Sequence, residues 1–241
     1  MRRLVFLPCL LLLVLFAGSL LAEPPKADFG QILDAYLAAS RSQQSRLNGS
    51  VAEVSIDAEL PRLHKKGRLS ALRRISRIGR MTYDVLKFEG DNSVKNDVIA
   101  RYLSAELQVR ESADNSLAII RENYKFSYKG LREMNGRRVH LFELRPQTKR
   151  KGLFKGALWI DAKTYLPVRE AGHFVKNPSV FIKKVEFTRH YELQDGVAVV
   201  ARLETTVEVR VAGTAHMTVQ YADYHFEPQT VEVGLIPADS Q

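Results

Sequence analysis

The chain has 241 residues, a formal net charge of +9 at pH 7 and a single cysteine, Cys9. This length is enough for one domain with a sizeable core. Because Cys9 lies in an N-terminal apolar segment, the rest of the chain has no disulfide, thiolate nucleophile or sulfur metal ligand, and its stability must come from burial and backbone pairing.

The first 22 residues have the pattern of a secretory signal peptide. Two arginines precede an apolar run over residues 4–16, and a small residue, Ala22, stands just before Glu-Pro-Pro. An uncleaved anchor is the alternative, but the apolar stretch is near the lower length limit for a membrane span. We predict cleavage after Ala22, export to the periplasm and a single mature domain over residues 23–241.

An amphipathic helix is the first predicted element of the mature chain. Asp28 is suited to cap its first turn, and Asn48-Gly49 marks its end. The apolar side chains follow helical spacing and form one stripe. They are Phe29, Ile32, Leu33, Tyr36 and Leu37.

After this helix the pattern changes from period 3.6 to period 2, which is typical of half-buried strands. A second helix is predicted at residues 94–109, with Ser93 as its cap, and Asn135-Gly136 predicts a hairpin turn. The predicted strands cover residues 54–60, 69–78, 81–88, 124–128, 139–144, 153–160, 168–175, 181–191, 197–211 and 215–221.

These elements predict a mainly β protein with two helices, in the α+β class. About ten consecutive antiparallel strands favour one large curved sheet with an apolar face that needs a cover. The leading helix is a natural cover. If that cover is partial or movable, the concave face becomes an apolar cavity.

Three short segments resemble a hairpin pair of a known family: residues 135–146, 156–161 (Gly-Ala-Leu-Trp-Ile-Asp) and 164–169 (Thr-Tyr-Leu-Pro-Val-Arg). The pair resembles the N-terminal domain of sigma-factor regulators of the RseB/MucB type. Looser versions occur across the periplasmic lipoprotein-carrier superfamily of LolA and LolB. The resemblance implies an incomplete antiparallel barrel, or half-barrel, wrapped around helices, with a hollow that binds acyl chains or lipoproteins.

The two apolar patterns together predict a ligand-binding face. The strands, with period 2, and the helix, with period 3.6, each have one apolar face, and each face needs the other to cover it. Trp159 is expected as a large inward anchor for the ligand, with a plain core residue as the alternative role. The predicted lining residues are Phe29, Leu33, Tyr36, Trp159, Val199, Leu203, Val207, Met217, Val219 and Tyr221.

Residues 62–80 contain eight arginines and lysines and no acid, so we predict a patch for anionic lipid headgroups. A solvated sheet face is the alternative, and export makes nucleic acid an unsuitable partner. The predicted patch residues are Arg62, Lys65, Lys66, Arg68, Arg73, Arg74 and Arg77.

The sequence shows no pattern of a catalytic or metal site. The six histidines have no metal-ligand spacing, and there is no Gly-x-Ser-x-Gly elbow. We therefore predict a monomeric, non-enzymatic envelope protein without metal or cofactor, which binds a lipid acyl chain or a lipid-modified protein and meets an anionic membrane surface. The alternative is a regulatory or structural interaction protein whose cavity is filled by its own side chains.

Overall fold

The structure is a computed structural model, and it describes residues 28–111, 115–210 and 213–227. The predicted signal peptide and its cleavage site lie outside these ranges and remain predictions. Within the ranges, no helix combines the length and apolar character that crossing a membrane requires.

Ten antiparallel strands form one open sheet. The predicted fold class, a mainly β half-barrel with two helical regions, is confirmed. The strands are β1 (Ser50–Leu60), β2 (Lys65–Ile75), β3 (Met81–Gly90), β4 (Tyr124–Met134), β5 (Arg137–Pro146), β6 (Phe154–Asp161), β7 (Pro167–Phe174), β8 (Ile182–Gln194), β9 (Val197–Val209) and β10 (Gly213–Phe226).

The strand order is β3-β2-β1-β10-β9-β8-β7-β6-β5-β4. All neighbours but one are consecutive in the chain and joined by short connections. The exception is β1, which pairs with β10, so that the first and last strands lie side by side in the middle of the sheet. The two edges are therefore β3 and β4, which the inserted helical segment connects.

The helices lie where the sequence predicts them. Helix α1 (Phe29–Arg46) begins after Asp28, whose carboxylate accepts a hydrogen bond from the Gly30 amide. The inserted segment consists of α2 (Asn92–Val94), a π-helical turn (Lys95–Ile99) and α3 (Ala100–Glu111). Its cap is Asp91, which accepts from the Ser93 amide, so the prediction of Ser93 as the cap is wrong.

Pairs of glycines allow the sheet to curve. Gly156 faces Gly172 across β6 and β7, and a Cβ at Gly156 would lie 2.0 Å from the Ala171 carbonyl oxygen. At the other side of the sheet, a Cβ at Gly90 would lie 2.4 Å from the Lys66 carbonyl oxygen. Only glycine permits such close approach of two backbones. The curvature gives the sheet a concave face, which α1 and the inserted helices cover.

Candidate functional site

The structure brings most of the predicted lining residues together in one hydrophobic core on the concave face. Seven of the ten are buried, and Val207 is partly buried against the same core. The apolar stripe of α1 packs against the inward faces of β9 and β10, as the helical and strand periodicities predict. The seven buried residues are Leu33, Tyr36, Val199, Leu203, Met217, Val219 and Tyr221.

Phe29 does not belong to this group. It is the first residue of α1 and is 52% exposed, so its assignment to the lining is wrong. The helical stripe predicted the correct face, but the first turn of α1 extends past the sheet that would cover it.

Trp159 also lies elsewhere, and its assignment as an inward anchor is wrong. Its neighbours Leu158 and Ile160 are fully buried on the concave face, so the alternation of β6 directs Trp159 to the outer face. There the Arg169 guanidinium stacks 4.9 Å from the centre of the indole ring. This cation–π contact, rather than core packing, holds the side chain.

A polar group sits within the largely apolar concave face. Glu170 on β7 is directly opposite Arg189 on β8, and Arg189 Nη1 donates to Glu170 Oε2 at 2.9 Å. The Tyr191 hydroxyl donates to Glu170 Oε1 at 2.8 Å. Burial, followed by the nearby Glu170 carboxylate, raises the pKa of Tyr191, so the phenol stays protonated and keeps its donor. Both oxygens of Glu170 are thus occupied.

Arg189 differs from its partner in its access to water. Only 6% of the Glu170 side chain is exposed, whereas 37% of the Arg189 side chain is accessible. Arg189 is flanked across the sheet by Glu170 and Leu203, both of which are buried. The Arg189 side chain is therefore partly accessible to water, whereas that of its partner is not.

The helices flank this polar group from two sides. Burial, and then the charge of Glu170, raise the pKa of Tyr36 on α1. Arg189 in turn interacts electrostatically with Tyr102 on α3. Tyr36 of α1 and Tyr102 of α3 therefore both lie near the Glu170–Arg189 pair.

A second polar cluster surrounds Arg73, which is buried. Arg73 Nη2 donates to the Tyr224 hydroxyl at 2.9 Å, and the guanidinium stacks over the Tyr221 ring at 4.5 Å. The Glu106 carboxylate of α3 is 3.9 Å from Arg73 Nη1 and accepts a 2.7 Å hydrogen bond from the Tyr83 hydroxyl. This cluster ties α3 to β2, β3 and β10, and it is a structural contact rather than an open site.

The predicted basic patch is accordingly not one surface. Arg73 points into the core and does not belong to the patch, because its position in β2 alternates with those of the exposed arginines. Four others are paired with carboxylates, which reduces their attraction for an external anion. The pairs are Lys65–Asp91, Arg68–Asp57, Arg74–Asp84 and Arg77–Glu227. Arg62 and Lys66 are exposed, with no ion pair recorded in the described part of the chain.

The sequence carries a signal for both of the arginines that point to the concave face. Arg189 occupies the alternating stripe of Val185, Phe187 and Tyr191, and Arg73 follows Leu69 and Ala71 in the same way. A charged residue at an inward position of a strand must be paired, because burying a lone charge is costly. The identity of the partners, by contrast, requires the strand register.

The outer face carries a shallow groove of about 680 Å³ between β6 and β10. Small side chains, Ala157 and Ala171, lie at one side, and Glu204 and Thr218 at the other. Its polar groups include His173, Glu186 and His216. Across the described ranges, no cluster of three or more histidine, cysteine, aspartate or glutamate side chains has an arrangement that could hold a metal ion.

No family model matches the chain, and no curated protein matches it. Solved structures do match, at low sequence identity. A DUF1329-family protein from Desulfovibrio piger is 14% identical, with 85% of this chain and 94% of that chain covered and a TM-score of 0.46. A LolA-superfamily protein from Nitrosomonas europaea is 11% identical, with coverages of 83% and 93% and a TM-score of 0.38. MucB is 13% identical, with coverages of 80% and 93% and a TM-score of 0.32.

Proposed function

We propose that this protein is an exported, non-enzymatic binding protein of the bacterial envelope that holds an acyl chain of a lipid or of a lipid-modified protein on its concave face. The observation that carries the proposal is the partly accessible Arg189 side chain within that largely apolar face. An apolar surface with one reachable polar group matches the two parts of an amphiphile.

The chemistry of the face suits such a ligand. Leu203 and Val219 lie in the same cross-strand row as Arg189 and, although now buried in the core, would contact methylene groups if a chain displaced their present neighbours. Each buried methylene contributes about 0.8 kcal/mol, so a long chain gains affinity without specific hydrogen bonds. Arg189 supplies donors for a carboxylate or phosphate at the chain's end, while Glu170 balances its charge when no ligand is present.

A second function, an interaction protein with a self-filled cavity, is favoured by a different observation. Leu33 and Tyr36 of α1 are already buried against the sheet, where an acyl chain would otherwise lie. In that case α1 is a permanent part of the core, and a protein partner binds elsewhere. Lipid binding requires α1 or α3 to shift, so that a chain can reach the side chains that the helices now cover.

The test is the lipid content of the protein as isolated. Protein purified from periplasm should yield lipid in near-stoichiometric amounts by mass spectrometry of its organic extract, and delipidated protein should bind a fluorescent fatty acyl probe. An extract without lipid, together with no probe binding, would establish the interaction protein instead.

Two adjacent threonines provide a matched pair of variants. Thr205 lies on the concave face opposite Phe187, and Thr206 lies on the outer face opposite Glu186. Thr205→Phe should fill space beside Arg189 and weaken probe binding at least tenfold, while Thr206→Phe should leave it unchanged. Thermal unfolding of both variants verifies that they are folded. Equal loss of affinity in both would place the probe outside the concave face.

A further inference from the structure

One end of the sheet combines exposed apolar side chains with unopposed positive charge. Three strand-connecting loops meet there with Arg210 and Gly213, and we call this surface the loop rim: residues 61–64, 147–153 and 175–181, together with Arg210 and Gly213. Their sequences contain six lysines and arginines and no acid. Among nearby acids, Asp91 is paired with Lys65, and Glu122 precedes β4.

The loops of the rim are joined by direct contacts. The Arg210 amide and Nε donate to the Phe181 and Val180 carbonyls, each at 2.9 Å. Gly213, at the start of β10, lies against the Arg62 side chain. The rim is therefore a continuous surface across β1, β10, β9 and β8.

Apolar side chains project from this surface. Phe181 is 64% exposed, and Val180 and Leu63 are exposed as well. The loop that carries Phe181 is held by hydrogen bonds, because Ser179 accepts from the Phe181 amide and the Asn177 side chain donates to the Lys183 carbonyl. A large apolar side chain held out in water is unfavourable unless a membrane or a partner surface covers it.

We infer that the loop rim docks on an anionic phospholipid membrane, with Phe181, Val180 and Leu63 entering the interface and the surrounding cations meeting phosphates. This combination is the chemistry of interfacial anchors: apolar burial supplies affinity, and cations add to it near anionic headgroups. A nucleic acid or an acidic protein would be attracted by the cations alone. The N-terminus of helix α1 also points toward this end of the sheet. Near its start, Asp34 pairs with Arg121 just before β4, and at its other end Arg46 contacts Gly196 at the opposite end of the sheet.

The rim differs from the membrane contact predicted from sequence. That prediction placed the contact along residues 62–80, most of which run down β2 away from the rim, with their charges paired. Only Arg62 belongs to both surfaces. The docking surface does not depend on an acyl chain in the concave face, so it can be tested independently of the proposed function.

Vesicle flotation of the mature chain tests this inference. Wild type should float with vesicles of phosphatidylcholine and phosphatidylglycerol in equal parts, should float poorly with phosphatidylcholine alone, and should be released by high salt. Phe181→Ser should weaken binding about tenfold, since burial of a large apolar side chain is lost. The triple variant Lys149→Gln, Lys151→Gln and Lys176→Gln should weaken it at least tenfold, at about fivefold per cation.

The opposite end of the sheet supplies matched controls. Ile78 is 89% exposed, and Ile78→Ser is the control for loss of one exposed apolar side chain. The triple variant Arg80→Gln, Arg138→Gln and Lys163→Gln is the control for removal of three positive charges. These variants should float like wild type. The inference is overturned if wild type does not float, if the control variants lose as much binding as the rim variants, or if Phe181→Ser has no effect. The last result would indicate attraction by charge alone, as for a polyanion.

Discussion

Glu170 and Arg189 face each other directly across β7 and β8, form a 2.9 Å ion pair, and yet differ about sixfold in accessible side-chain surface. The Glu170 carboxylate is enclosed by the strands and the Tyr191 hydroxyl, while the Arg189 side chain is partly accessible to water. A buried ion pair between unequal partners should respond unequally to the loss of either one, because only one of the two charges can be rehydrated.

Substitution of the two partners should therefore be asymmetric. Arg189→Met leaves a carboxylate among apolar neighbours and should lower the free energy of unfolding by about 3 kcal/mol. Glu170→Met leaves the charge on a side chain that is already partly accessible to water. This variant should therefore cost less, about 1–2 kcal/mol. Urea denaturation at neutral pH measures both. A larger loss for Glu170→Met would mean that Arg189 is less accessible than the structure shows.

The buried Arg73 and the exposed Arg74 form a second matched pair. Arg73→Gln removes the partner of Tyr224 and Glu106 inside the core and should cost about 3 kcal/mol. Arg74→Gln breaks only a surface pair with Asp84 and should cost less than about 1 kcal/mol. Chemical denaturation distinguishes the two. Similar costs would place Arg73 at the surface, as the sequence alone suggested.

The facing of β9 can be tested at two consecutive positions. Leu203→Asp buries a charge in the core and should destabilise the protein by about 3 kcal/mol or more. Glu204→Ala, on the outer face, should cost less than about 1 kcal/mol, since its partner Arg202 is exposed. If both changes cost the same in thermal unfolding, the strand faces the other way.

Trp159 is the single tryptophan of the chain and a reporter for the outer face. Its fluorescence should be quenched by acrylamide and should stay unchanged when an acyl probe occupies the concave face. Arg169→Ala, which removes the stacked guanidinium, should increase the quenching. A blue shift of the Trp159 emission on addition of a fatty acid would instead place the ligand on the outer face.

Acid should lower the free energy of unfolding, in part because Glu143 becomes protonated. Hydrogen bonds from Lys129 and Arg145, with their charges, lower the pKa of Glu143 from 4.5 to about 2. Because the unfolded chain binds this proton more readily, the contribution to stability is present above about pH 4.5 and is lost as the pH falls toward 2. Denaturation at a series of pH values should show a shallower acid loss for Glu143→Gln than for wild type. Parallel curves would show that the surface pairs are screened.

Local patterns in the sequence determined much of this fold. The stripe after Asp28 predicted α1, and Asn135-Gly136 predicted the turn between β4 and β5, where both residues have positive φ. Such features depend on neighbours within a few residues, so they can be read without knowledge of the rest of the chain. The alternations of β9 and β10 likewise identified Leu203 and Val219 as facing the core, as the helical stripe did for Leu33 and Tyr36 on α1.

Only the tertiary structure decided which charges are buried and which surface is free. A run of arginines in β2 looks uniform in sequence, but the pairing of β1 with both β2 and β10 places Arg73 beside Tyr224 and leaves Arg74 outside. Trp159, with apolar residues on both sides, has no periodic cue, and its direction follows from the register of β6. The loop rim joins segments that are more than a hundred residues apart in sequence, and their shared position depends on the order of all ten strands. Long-range pairing, which no local pattern encodes, therefore determines the candidate sites.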